Sequence, residues 1–166
     1  NAIQRPCELW RGLDRLEASI KSILEKFNVQ QIVASHAVTM TGELVDLFEN
    51  RREGVIAISN LVSKLLGKQT QFYVAGLSYQ NQSATDNQHR SFVDLESVSK
   101  HAERIASANW YASASLLAKN VPDALFVDMG STTTDIIPIV AGRVPNIGLS
   151  DALRMQEDTL VYTGVV

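Results

Sequence analysis

The residue types best suited to chemistry crowd into one stretch, Asp128-Met129-Gly130-Ser131-Thr132-Thr133-Thr134-Asp135. An apolar run, Ala124 to Val127, leads into the first carboxylate, and a second, Ile136 to Val140, follows the last. The pattern predicts strand, tight turn, strand, with Gly130 giving the backbone room to turn where a Cβ would obstruct it. Successive N–H groups and hydroxyls of such a turn can converge on one small volume, a geometry suited to phosphate oxygens. Asp128, at the end of a buried strand, is placed to hold a divalent cation or to orient a water beside them. An ordinary hairpin has the same composition, because Ser, Thr and Gly favour turns for conformational reasons alone.

A second group, Thr39-Met40-Thr41-Gly42-Glu43-Leu44-Val45-Asp46, follows a short apolar run and opens a helical pattern. In open α/β sheets ligands gather at the carboxyl ends of strands, and helix N-termini favour anions. Thr41 is the expected N-cap. Glu43 and Asp46 are three apart, so on a helix they share a face and could bind an amine or a metal, or act as a base. Complementing the helix dipole explains two first-turn acids equally well. His36, His89 and His101 are far apart and show no metal spacing. Asp151, Arg154 and Glu157 read as a surface helix, with Arg154 the one that could meet a phosphate.

The elements that must position these groups follow from periodicity. Leu9 to Phe27 carries apolar residues at spacings of three and four, one helical face. Ile32-Val33-Ala34 reads as a short buried strand, Leu44, Leu47 and Phe48 as a helical pattern, and Glu53 to Leu66 as a helix stopped by Gly67. Gln71 to Gly76 reads as a strand and the polar Ser78 to Arg90 as a loop. Leu95 to Lys119 reads as one long helix rich in alanine, which permits close packing. A second hairpin follows the hydroxyl-rich turn: Ile136 to Val140, the Ala141-Gly142 turn, then Arg143-Val144-Pro145. Alternating strands and helices imply a mainly parallel sheet covered on both faces. The hairpins after residue 123 do not continue that pattern and predict a new domain. The expected division is 1–121, a first α/β domain, and 122–166, the start of a second that opens with the phosphate-binding hairpin.

A chain of 166 residues with 45% hydrophobic content is an ordinary globular composition. A net charge of −3, with charges scattered, argues against a basic nucleic-acid surface. The one cysteine, Cys7, excludes an intrachain disulfide framework. No uninterrupted apolar segment reaches bilayer length, so a membrane partner is not expected and the cytoplasm is the default compartment. The start at Asn1 and the end in a strand-like Tyr162 to Val166 read as cut, so both ends are expected to be truncated.

Asp128 to Asp135 resembles the second phosphate loop of the superfamily of sugar kinases, acetate kinases, heat-shock chaperone ATPases and actin. Its continuation into Ile136-Ile137-Pro138-Ile139 resembles the hydantoinase A/oxoprolinase-like group. Within that group it is similar to proteins linked to tetrahydromethanopterin-dependent C1 transfer, whose archaeal relatives act as a synthase in methanofuran biosynthesis. Cys7 to Leu13, Val38 to Phe48 and Leu160 to Val166 fit the same family. The resemblance implies an actin-like ATPase, ribonuclease H-like two-domain fold. It implies a transferase that condenses a γ-glutamyl-tyramine phenol with an aminomethylfuran diphosphate and releases pyrophosphate. An ATP-dependent kinase or hydrolase, and a non-catalytic binding module on the same fold, are the alternatives.

Residues and resemblance together lead us to expect catalytic roles for Asp128 and Glu43, phosphate-binding for Gly130, Ser131, Thr132, Thr133, Thr134 and Asp135, and substrate-cleft positions for Thr39, Thr41, Asp46 and Gly164. Asp128 would also hold Mg2+, the suspected cofactor alongside a nucleotide or diphosphate ligand. The partner expected is a small-molecule diphosphate, with no nucleic acid or membrane and with a homodimer left open.

Overall fold

The computed structural model describes residues 2–27, 35–76, 91–145 and 147–164. The first helical face is not continuous. A 3-10 turn over Leu9–Arg11 ends at Gly12, whose φ of 139° lies outside the helical range, and α1 begins at Leu13 and runs to Phe27. Leu13, Leu16 and Ile20 lie half-buried against the core beneath.

β1 (His36–Val38) runs parallel to β2 (Thr70–Tyr73), with His36 opposite Thr70. The strand expected at Ile32 to Ala34 and the whole of the expected Ser78–Arg90 loop lie outside the described residues. α2 (Arg51–Leu66) joins β1 to β2, as a parallel connection requires. A short β3 (Phe92–Val93) pairs antiparallel with β2, so the sheet, in order β1-β2-β3, is parallel on one side only. Val55, Ile58 and Val62 of α2, Phe72 and Val74, and Val98, Ala102 and Ile105 of α3 (Leu95–Ile105) form the first core.

The long alanine-rich helix is in fact two. α3 stops at Ile105, the chain turns through Ala106 to Ala108, and α4 (Asn109–Ala118) starts in a new direction. Ser107 carries the turn with φ of 49°, unusual for a residue with a Cβ. Alanine periodicity runs across the break because Ala102 and Ala106 pack in the first core while Ala108 and Ala114 pack in a second.

That second core lies on an antiparallel sheet in the order β4 (Ala124–Met129), β5 (Thr133–Ile139), β6 (Leu160–Tyr162). The strand expected over Arg143 to Pro145 reduces to a single bridge, Val140 to Arg143, around Ala141 and Gly142. Those two residues have φ of 50° and 71°, the signs a type I′ hairpin turn requires. A short α5 (Asp151–Gln156), capped by the Ser150 hydroxyl, connects to β6. Trp110, Tyr111 and Ala114 of α4 cover Phe126 and Ile137, and Tyr73 and Ala75 from the end of β2 enter the same cluster. The two sheet units therefore share apolar packing along a seam.

Candidate functional site

The hydroxyl-rich stretch folds as the hairpin turn between β4 and β5. The Gly130 N–H donates to the Thr133 carbonyl at 2.8 Å, which leaves Ser131 and Thr132 as a two-residue loop. Neither loop residue has a positive φ, so the turn is not one of the two types that usually close such hairpins. It is braced from β6 instead. The Thr132 carbonyl accepts from both the Thr163 and Gly164 N–H groups, each at 2.9 Å. Thr134 Oγ1 and Thr163 Oγ1 are 3.2 Å apart. A Cβ on Gly164 would stand 2.9 Å from Thr132 Cα and 3.1 Å from the Ser131 carbonyl, so only glycine permits this approach. Gly164, expected in the substrate cleft, thus lies against the hydroxyl-rich turn.

The bracing faces the carbonyl side of the turn. The Ser131 and Thr132 N–H groups have no hydrogen-bond partner among the described residues, and both side chains are exposed. Gly130 itself does not adopt a positive φ; a Cβ there would meet the Thr133 carbonyl at 3.1 Å, tight but not prohibitive. The expected obstruction by a Cβ at this glycine is therefore a tight contact with one carbonyl rather than a block on the turn.

Asp128 and Asp135 lie directly opposite each other across β4 and β5, so their side chains share a face. The repulsion is offset by a residue expected on a surface helix. Arg154 is 1% exposed, its Nη2 stands 2.7 Å from Asp135 Oδ1, and it donates to the Thr159 carbonyl at 2.7 Å. Its guanidinium carbon lies 3.8 Å above the Trp110 ring centre. Arginine suits this place because its planar fork can stack and pair together. Asp151 and Glu157 are also engaged: Asp151 pairs with Arg51, and Glu157 accepts from the Gly148 N–H. Asp135 is therefore occupied, whereas Asp128 is exposed at the strand end with no ion-pair partner among the described residues. Among those residues no cluster of three metal-ligating side chains occurs. One unpaired carboxylate beside free hydroxyls and amides still fits Mg2+, which binds through one or two carboxylates, waters and substrate phosphate.

The Thr39 to Asp46 segment is not the start of a long helix. Gly42–Leu44 is a single 3-10 turn, Thr41 makes no capping bond, and Val45 is extended. Glu43 and Asp46 consequently do not share a helical face: Asp46 is exposed and Glu43 is 1% exposed. Close packing against α2 fixes Glu43 in place. Gly54 lies so near that a Cβ would fall 2.6 Å from the Glu43 carbonyl. The carboxylate Oε1 accepts from Ser107 Oγ at 2.6 Å and stands 4.0 Å from Arg51 Nε; Oε2 is buried with no partner among the described residues.

Thr39 and Thr41 are exposed at the edge of an open, mainly apolar hollow of ≈ 440 Å³, walled by Leu16 and Ile20 of α1 and Ile58 and Val62 of α2. Neither Glu43 nor the Asp128 turn lines it. The expected site residues therefore fall into three places, the turn with Gly164, the buried acid and the hollow, while Asp46 is exposed outside all of them. Sequence reading missed Arg51, Ser107 and the Arg154–Trp110 stack. Only Arg51 left a trace, as a cation at the first position of α2, where the helix dipole disfavours one.

The mixed α/β architecture, with a hydroxyl-rich hairpin opening its second sheet, is that of the sugar kinase, actin and chaperone ATPase fold. The chain belongs to the hydantoinase/oxoprolinase family, whose profile matches residues 34–164. It is 31% identical over 159 residues to the (4-{4-[2-(gamma-L-glutamylamino)ethyl]phenoxymethyl}furan-2-yl)methanamine synthase of Methanocaldococcus jannaschii, covering 95% of this chain and 42% of that one. Over 52 residues it is 42% identical to the synthase of the same name from Methanococcus vannielii, covering 31% of this chain and 23% of that one. The chain thus spans less than half the length of the curated relatives it matches. No helix among the described residues is long and apolar enough to cross a membrane.

Proposed function

We propose that the whole protein is a transferase that displaces a diphosphate leaving group, joining a γ-glutamyl-tyramine phenol to an aminomethylfuran diphosphate. The observation that carries this reading is the turn over Gly130–Thr133. Its Thr132 and Thr133 carbonyls are held by backbone N–H groups, while its Ser131 and Thr132 amides and hydroxyls have no partner among the described residues. That is a donor-rich surface for phosphate oxygens. The 31% identity to a synthase whose name describes a phenoxymethyl-furan product supports the choice of substrate class.

The phenol oxygen bonds to the furfuryl carbon, the carbon–oxygen bond to diphosphate breaks with its electron pair leaving as pyrophosphate, and the phenol proton passes to a base. The turn stabilises charge developing on the departing oxygens, where preorganised donors have their largest effect. Asp128 would hold Mg2+, which when bound adds positive charge at the leaving group. Glu43 Oε2, buried and without a donor, is the acceptor proposed for the phenol proton. Thr39 and Thr41, at the edge of the apolar hollow, would guide the aromatic substrate. Holding the two reactants together supplies much of the advantage of such a reaction.

Calorimetry on the full-length protein with Mg2+ and pyrophosphate tests the reading. Binding is expected in the wild type and should weaken about tenfold or more in Asp128→Asn, since charge-assisted contacts are the strong ones. Equal affinity would remove the role of Asp128. ATP hydrolysis in the same preparation would instead favour a kinase or hydrolase.

A further inference from the structure

A chain of polar contacts crosses the seam between the two sheet units. Ser107 donates to Glu43 Oε1, Arg51 Nε stands 4.0 Å from that same oxygen, and Arg51 Nη2 lies 3.0 Å from Asp151 Oδ2. Glu43 and Arg51 both belong to the first unit, at the 3-10 turn and the first residue of α2. Asp151 belongs to the second, as the first residue of α5. Ser107 sits between them in the α3–α4 turn, with its positive φ.

Arg51 is shared unequally. At 3.0 Å its guanidinium is hydrogen-bonded to Asp151, while at 4.0 Å it is beyond hydrogen-bond reach of Glu43. Glu43 Oε2 is meanwhile a buried acceptor with no donor, an arrangement that costs free energy unless something compensates. A guanidinium with five donors lies next to it and is directed elsewhere. If the units part, Asp151 leaves with α5 and Arg51 keeps only Glu43.

We infer that Arg51 is a positioning residue for Glu43: Asp151 holds it aside when the two units are apposed, and it moves onto Glu43 Oε2 when they separate. Apposition then leaves the acid with an open acceptor, and separation caps it. The junction at Ser107 has the features of a hinge, a short turn between packed elements that absorbs the change in backbone angle. This inference deepens the proposed role of Glu43 and rests on it for its catalytic consequence, but not for the movement of Arg51.

The test uses Asp151→Ala in the full-length protein, alone and with Arg51→Gln. The side chain of Asp151 is partly exposed, so the fold should survive, and Asp151→Asn serves as the milder second variant. A crystal structure of Asp151→Ala should place Arg51 within hydrogen-bond distance of Glu43 Oε2. Pyrophosphate release should show kcat lowered roughly 5- to 150-fold, the usual range for coupling between sites, with KM little changed. Adding Arg51→Gln should recover part of the loss, because the capping group is then gone. A purely structural Arg51 would make the double variant no better than a slowed Asp151→Ala, and that result, or an Arg51 that stays clear of Glu43 in the crystal, overturns the inference. If Glu43→Gln turns over normally while Arg51 still moves, the catalytic reading of Glu43 fails and the positioning of its carboxylate stands.

Discussion

Two glycines at the turn illustrate how a residue's type and its reason can separate. Gly130 invites a left-handed reading because it interrupts a strand pattern, yet its φ is ordinary and its Cβ space is only tight. Gly164, at the far end of the chain, is the one with no room for a side chain. Gly130→Ala should therefore leave pyrophosphate binding nearly intact, whereas Gly164→Ala should displace the Ser131–Thr132 loop and weaken it, with calorimetry on both variants as the check. Gly130→Val should still impair binding through bulk beside the free amides, but without the ~1–2 kcal/mol left-handed penalty.

Arg154 carries the larger structural consequence. Arg154→Met keeps a long apolar body over Trp110 but leaves Asp135 uncompensated opposite Asp128. Breaking a buried pair from one side costs ~3–5 kcal/mol, so urea unfolding should show a loss of that order.

At the scale of elements, the end of α2 at Gly67 was legible, whereas its start was not: the apolar pattern begins at Glu53 and the helix at Arg51. Asn50 accepts from the Glu53 N–H at 2.9 Å and starts α2, so Asn50→Ala should cost about 1 kcal/mol in denaturant unfolding. On α1, Lys21 hydrogen-bonds and attracts Glu17, and these two effects hold the Glu17 carboxyl below its ordinary value. A depressed carboxyl contributes stability above its unfolded pKa, and that contribution fades as pH falls through the folded value. Lys21→Ala should move the Glu17 titration upward in an NMR experiment. The break between α3 and α4 was not legible, because alanine is a good helix former and nothing in Ala106-Ser107-Ala108 forbids a helix. Tertiary packing decides it: α3 buries its face in the first core and α4 in the second.

For the whole molecule, the change from alternating strands and helices to consecutive hairpins marked the second sheet correctly at Ala124. It did not show that α4 packs on that sheet, or that Tyr73 and Ala75 from β2 join its core. The seam built this way brings Ser107, Glu43, Arg51 and Asp151 into one line although they are spread over much of the chain. Trp110→Ala removes the ring that both covers Ile137 and supports Arg154. It should destabilise the protein by ~3–5 kcal/mol, and near-ultraviolet circular dichroism should register loss of packing at the seam.

The sequence by itself determined the α/β class, the hairpin at Asp128 to Asp135, the stop of α2 at Gly67 and the family, because each depends on periodicity or on contiguous residues. It also singled out Glu43, but as half of a pair with Asp46 on a helical face that does not exist there. Only the tertiary structure decided that Glu43 is buried, that Asp135 is committed to Arg154 while Asp128 is free, and that Gly164 closes on the turn. Those outcomes depend on pairings between residues far apart in the chain, and no local spacing encodes which of two equivalent carboxylates a distant arginine will reach.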